Sequence, residues 1–378
     1  MPSWVCKKII KKQAIVLLSI FTLSLLLTPV NAAVKAGGSC SKAGTKSVFL
    51  SKTYTCIKSG KKLIWDKGVS NKTVIVPVEI PISIDNLDLK GVPLKAYQNV
   101  SKVIQSRSAT SYKPTIIMGP NLNSARADQE MPGLNRAIEF WEPYFIPEKF
   151  QIIYVNKGDE SWMEQKASEL ALSTMLPSGQ TWKDQFSREE ECAFGMAGNP
   201  KGTSTFVQCL GFPFGDGSRQ GAPHEYTHLF QLGVAKSNAF NVSWYTEGSA
   251  TFFGWTIAMY GYDPNASKRS DFYRSQFLQM NESAKSDFKS RELAMFKSRM
   301  QSLSGLNSFA TSRGGSYWVG GLAFEVLVAL YGVDKFVELT KKLETNQDIS
   351  YLLNQTYGFN ADYFYEKLAP YVWAHIPS

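Results

Sequence analysis

The chain has 378 residues, 44% of them hydrophobic and 19% charged, which is enough length and apolar content for a sizeable buried core. No internal repeat or long low-complexity tract runs through it, so solenoid and fibrous architectures are excluded. The net charge of +9 divides into +12 over the first 72 residues and −3 over the rest, and since no repeated aromatic pattern in the basic part offers a platform for bases, nucleic acid is not the expected partner.

Lys7, Lys8, Lys11 and Lys12 precede fourteen uncharged residues, Ala14 to Leu27, and then Val30-Asn31-Ala32. A basic start, an apolar stretch shorter than the ~20 residues of a bilayer span and small residues at a cleavage point predict a signal peptide over 1–32. The chain is therefore expected to be secreted or held at the cell surface, retention of the segment as an anchor being the alternative. Removal of this segment takes away Cys6 and leaves Cys40, Cys56, Cys192 and Cys209, an even number that favours disulfides in an exported chain. Pairing each cysteine with its nearest neighbour predicts Cys40–Cys56 and Cys192–Cys209.

Residues 33–72 hold nine lysines against Asp66 alone, a balance of +8, whereas residues 73–378 carry −3. Thr53 to Ile57 and Lys61 to Trp65 alternate around Lys58-Ser59-Gly60, which predicts a β-hairpin, small enough to need its disulfide staple. This Lys-rich module reads either as a contact for anionic material, cell-wall polymer or lipid headgroups, or as a solubilising decoration. Residues 73–95, with Pro77 and Pro81, are expected to form a linker or an edge segment.

The main domain is then 96–378. Thr115 to Met118 and Gln151 to Val155 read as short buried strands, and Leu134 to Tyr144 has helical spacing. Asn199-Pro200-Lys201-Gly202 is a good β-turn; pairing 199 with 202 places Cys192 opposite Cys209 in a hairpin. Its second strand, Thr203 to Gln208, is expected to bind an extended substrate by main-chain pairing. Helices are predicted over Ser249–Tyr260, Asp271–Phe288, Trp318–Tyr331 and Asp334–Glu344. Strands first and helices after predict an α+β domain.

Residues 224–228 read His-Glu-Tyr-Thr-His, and the chain has only three histidines. Positions i and i+4 share one face of an α-helix, so His224 and His228 can aim their rings at one ion, while Glu225 points aside, suited to a general base. A catalytic zinc site takes three protein ligands. No histidine follows His228 at a short spacing, so a carboxylate is expected, and Glu247, after eighteen intervening residues, supplies it.

His224-Glu225-Tyr226-Thr227-His228, eighteen residues, then Glu247-Gly248-Ser249-Ala250 resemble the two active-site helices of the gluzincin zinc metallopeptidases, the thermolysin-like and alanyl-aminopeptidase-like enzymes. Tyr317-Trp318-Val319-Gly320 is similar to their Tyr-x-x-Gly segment. The resemblance covers roughly residues 190–345 and implies a zincin-like fold, with an N-terminal mixed sheet, an active-site helix and a mostly helical C-terminal lobe. It implies one catalytic Zn2+ held by His224, His228 and Glu247, Glu225 as the base acting on a zinc-activated water, and Tyr317 as an oxyanion donor. A packing role at a helix start is the other reading of Tyr317.

Where aminopeptidases carry Gly-Ala-Met-Glu-Asn, this chain has Gly195-Met196-Ala197-Gly198-Asn199. Without that glutamate an internal peptide bond is the expected target, although Glu189, Glu190 and Glu191 lie upstream and could supply the charge. His375 is the one remaining histidine for a role opposite the metal. Two other functions fit the same residues: a zincin-like surface-binding protein that cleaves nothing, and a zinc amide hydrolase acting on cell-wall material.

Overall fold

A computed structural model describes residues 36–49, 52–70, 81–188, 192, 194–210, 220–261, 263–264, 267–305 and 315–378. The predicted signal peptide, Glu189 to Glu191 and the part of the predicted linker that holds Pro77 lie outside the described residues. The chain forms two compact units, Met1–Ile75 and Val76–Ser378.

The first unit is a four-stranded antiparallel sheet, β1 (Lys46–Phe49), β2 (Lys52–Ser59), β3 (Lys62–Trp65) and β4 (Val69–Ser70), with β2 pairing all three others. The predicted hairpin is present with a tighter turn. Ser59 pairs with Lys62, so only Gly60 and Lys61 lie between the strands, and Gly60 takes the positive φ of 62° that such a turn requires. Cys40 and Cys56 are bonded, with Cα atoms 5.9 Å apart.

In the second unit, α1 (Gly91–Gln105) begins inside the predicted linker. There follow β5 (Thr115–Met118), α2 (Ser124–Trp141), β6 (Phe150–Val155), α3 (Glu160–Leu170), α4 (Trp182–Arg188), β7 (Gly195–Gly198) and β8 (Ser204–Cys209). The helix predicted from Leu134 starts ten residues earlier because Asn123 caps it, its side chain accepting the Ala125 N–H at 2.9 Å. The sheet order is β5-β6-β8-β7, with β5, β6 and β8 parallel and β7 antiparallel. Both faces of β6 are covered, which explains its apolar run from Ile152 to Val155, whereas β5, predicted as a buried strand, ends the sheet with Ile116 and Met118 exposed. Phe150, Ile152 and Tyr154 face the core built on α2 and the helices beyond, while Ile153 and Val155 pack with Met163 and Ala167 of α3 and Trp182 of α4.

The predicted hairpin register is corrected by two residues. Gly198 pairs with Thr205 and Gly195 with Gln208, because Pro200–Gly202 closes as a 3-10 turn rather than a tight β-turn. Cys192 therefore lies beyond the ladder, yet its positive φ of 53° turns the chain back and it bonds Cys209, Cα to Cα 5.4 Å. A second correction follows from the strand order. β8 is flanked by β6 and β7, so its main chain is already paired, and among the described residues the edge strand on that side is β7.

From here the described residues are helical: α5 (Gly221–Ala235), α6 (Ser243–Ala258), α7 (Ser267–Leu278), α8 (Glu282–Lys289), α9 (Leu293–Ser302), α10 (Ser316–Tyr331), α11 (Val333–Leu343), α12 (Ile349–Tyr357) and α13 (Ala361–Ala374). The helix predicted over Asp271–Phe288 is two, because Asn281 stops one and caps the next, accepting the Ala284 N–H at 2.8 Å. α6 is buried along its whole length and forms the axis of this part. It crosses α10 backbone to backbone: a Cβ on Gly320 would fall inside 3.0 Å of the Trp244 carbonyl, and one on Gly248 inside 3.0 Å of Gly320. Among the described residues no single helix is long and apolar enough to cross a membrane.

Candidate metal centre

α5 carries His224 and His228 one turn apart, and α6 brings Glu247 against them. The two Nε2 atoms are 3.0 Å apart, and each lies 3.4 Å from Glu247 Oε2. Bonds of about 2.0–2.1 Å in tetrahedral geometry separate neighbouring ligand atoms by about 3.3 Å, so the three atoms describe one face of a tetrahedron around a small cation. The electrostatics agree. Glu247 Oε2 is buried and receives no hydrogen bond, although two rings stand beside it. An uncompensated buried carboxylate oxygen is costly, and a cation among the three groups removes that cost. These residues could hold a metal ion.

Without a cation the site stores a proton instead. Burial depresses the His228 pKa, but the charge of Glu247 outweighs it and pushes the imidazole up to about 9. Burial pushes Glu247 upward too, and the two histidines, His228 foremost, overcome it and hold the carboxyl well below the usual range.

His228 is oriented by a network that connects the two helices. Its Nδ1 lies 2.8 Å from Gln231 Oε1, and the Gln231 amide donates to the Thr246 carbonyl at 3.0 Å and to Ser249 Oγ at 2.6 Å. Those two acceptors fix the amide with its oxygen toward the ring, so Nδ1 keeps its hydrogen, and the lone pair that Nε2 would give a cation is the one that otherwise takes the proton. Ser249 Oγ in turn donates to the Tyr245 carbonyl at 2.7 Å. Reading the motifs did not single out Gln231. The available signal was its position three residues after His228, on the same helix face, together with the general need of a ligating imidazole for a partner on its other nitrogen.

Glu225 sits beside the triad, 6% exposed, with Oε2 unpartnered. Burial raises its pKa above the usual carboxylate value, against the pull of His224 and His228. Its other oxygen touches β7: a Cβ at position 195 would come inside 3.0 Å of Glu225 Oε1, so any side chain there would displace the carboxylate. This leaves a buried carboxyl with an unpartnered oxygen beside β7. It can accept or deliver a proton between the triad and that strand.

Tyr317, in the first turn of α10, stacks on His224 with ring centroids 5.9 Å apart and planes 15° from parallel. The Gly248–Gly320 crossing brings it there, since Gly248 follows Glu247 and Gly320 is three residues after Tyr317. His375 is not in this group. Its Nε2 accepts from Arg269 at 3.1 Å and its Nδ1 lies 2.8 Å from the Tyr371 carbonyl, in a cluster where Arg269 pairs with Glu325. Residues 195–198 form the β7 edge and bring no acid to it.

Comparison with protein families, with curated proteins and with solved structures finds no match to this chain.

Proposed function

We propose that the chain is a zinc-dependent peptidase of gluzincin type with a zincin-like fold, exported by its N-terminal segment and cutting internal bonds of extended peptides. The observation that carries the reading is the pairing of a tetrahedral face of ligand atoms with the unpaired, buried Glu225 beside it. His224, His228 and Glu247 would hold the ion, and zinc suits a site of two imidazoles and one carboxylate. When bound, zinc supplies Lewis-acid polarisation of water and of a scissile carbonyl.

The residues of the chain do the rest. Glu225 takes the proton of the attacking water and passes it to the leaving amine. Its raised pKa makes the protonated form accessible for the second step. The outer edge of β7, lacking side-chain bulk at Gly195 and Gly198, is the proposed seat for the main chain of an extended substrate. Tyr317 is the proposed donor to the developing oxyanion from the side of His224.

The test is cleavage of an unfolded, fluorophore-quenched protein by the purified chain beside its Glu225→Gln variant, at matched zinc content. Internal fragments from the parent alone are expected. Silence from both, with zinc bound in both, overturns the peptidase reading in favour of a binding scaffold or a hydrolase of non-peptide amides.

A further inference from the structure

None of the residues given roles above belongs to the Lys-rich unit, whose sheet has two unlike faces. Tyr54 and Cys56 of β2 are buried on one, where the Cys40–Cys56 bond crosses. The alternation of the strand puts Thr53, Thr55 and Ile57 on the other. Pairing adds the rest of that face: Lys46 opposite Thr55, Ile64 opposite Ile57, Val69 opposite Thr53 and Lys62 opposite Ser59. Ile57 is 42% exposed, Val69 70% exposed and Ile64 half-buried, so this face presents apolar side chains beside Lys46 and Lys62, while Lys52 and Lys58 alternate onto the other face.

All seven lysines described in this unit, at 42, 46, 52, 58, 61, 62 and 67, are exposed, and among the described residues none is in an ion pair. The one acid, Asp66, is engaged within the fold, accepting the Thr55 N–H at 3.0 Å and the Gly68 N–H at 2.9 Å.

We infer that this face is a docking surface for an anionic lipid bilayer. Cationic side chains beside apolar ones match the headgroup layer on both counts: lysines meet lipid phosphates, and Ile57, Ile64 and Val69 enter the boundary beneath them. A soluble polyanion would use the charge and leave the apolar residues without a purpose. The inference does not depend on the metal centre or on its chemistry.

The experiment is co-sedimentation of the chain from residue 33 onward, with its disulfides intact, with vesicles of phosphatidylcholine alone or containing about a third phosphatidylglycerol. Binding to the anionic vesicles only is expected, falling at least about tenfold when salt is raised from about 0.1 M to about 0.5 M. Lys46→Glu with Lys62→Glu should weaken it at least about tenfold, and Ile57→Ser with Val69→Ser, which keep all the charge, at least about fivefold. Polyphosphate serves as the soluble competitor. No binding to anionic vesicles overturns the proposal, and so does binding that the serine pair leaves unchanged and polyphosphate abolishes, which would define a polyanion site instead.

Discussion

Replacing Gln231 with leucine removes the acceptor of the His228 Nδ1–H and the donor to Thr246 and Ser249, while filling similar space. The ring is buried, so the orphaned N–H costs about 1–3 kcal/mol. Part of this cost is avoided if the imidazole turns or changes tautomer, and either escape spoils the lone pair aimed at the ion. Loss of such an outer partner lowers metal affinity by about 10–100-fold, equivalent to about 1.4–2.7 kcal/mol. Zinc affinity measured by competition with a chromophoric chelator reports this without any substrate. Gln231→Glu keeps an acceptor for Nδ1 and should recover much of the affinity, although it loses the donor to Thr246. Zinc affinity of the leucine variant within about twofold of the parent, with unchanged circular dichroism, would refute the idea that Gln231 sets the tautomer.

Three further outcomes are expected. Gly320→Ala forces apart two helix backbones that touch and should cost about 3 kcal/mol or more, seen as a thermal midpoint lowered by at least about 6 °C. An unchanged midpoint would mean that the crossing is looser than it stands. Gly195→Ala pushes a methyl against the Glu225 carboxylate, the movable end of a side chain, so hydrolysis should fall at least about tenfold while stability changes by less than about 1 kcal/mol, as kinetics and denaturant unfolding would show. Tyr317→Phe should lower turnover about a hundredfold or more, in line with about 3–4 kcal/mol for an oxyanion donor; a loss below about fivefold assigns Tyr317 to packing on His224.

The parts of this molecule that follow from local periodicity were legible in the chain. The i, i+4 spacing of His224 and His228 has one geometric meaning on a helix, and the shortage of histidines directed attention to a carboxylate. The alternation in residues 53–57 and 61–65, the strands at 115–118 and 151–155 and the nearest-neighbour cysteine pairs were likewise readable, because each rests on residues close in sequence. The hairpin register was not. A turn residue set names a type of turn but not whether neighbouring residues join it, and here Pro200–Gly202 took a 3-10 form that moved every pair by two.

What the sequence determined by itself was the set of groups available: two imidazoles and a carboxylate that could hold an ion, a second carboxylate beside them, four cysteines for two staples and a cationic first module. Tertiary structure alone decided which groups face one another. It made β7 rather than β8 the edge strand, placed Gln231 between His228 and α6, brought Tyr317 onto His224 through the Gly248–Gly320 crossing, and drew His375 away to Arg269. The physical reason is that such contacts depend on how close two backbones can come. That distance is set jointly by side chains dozens of residues apart, and no local pattern encodes it.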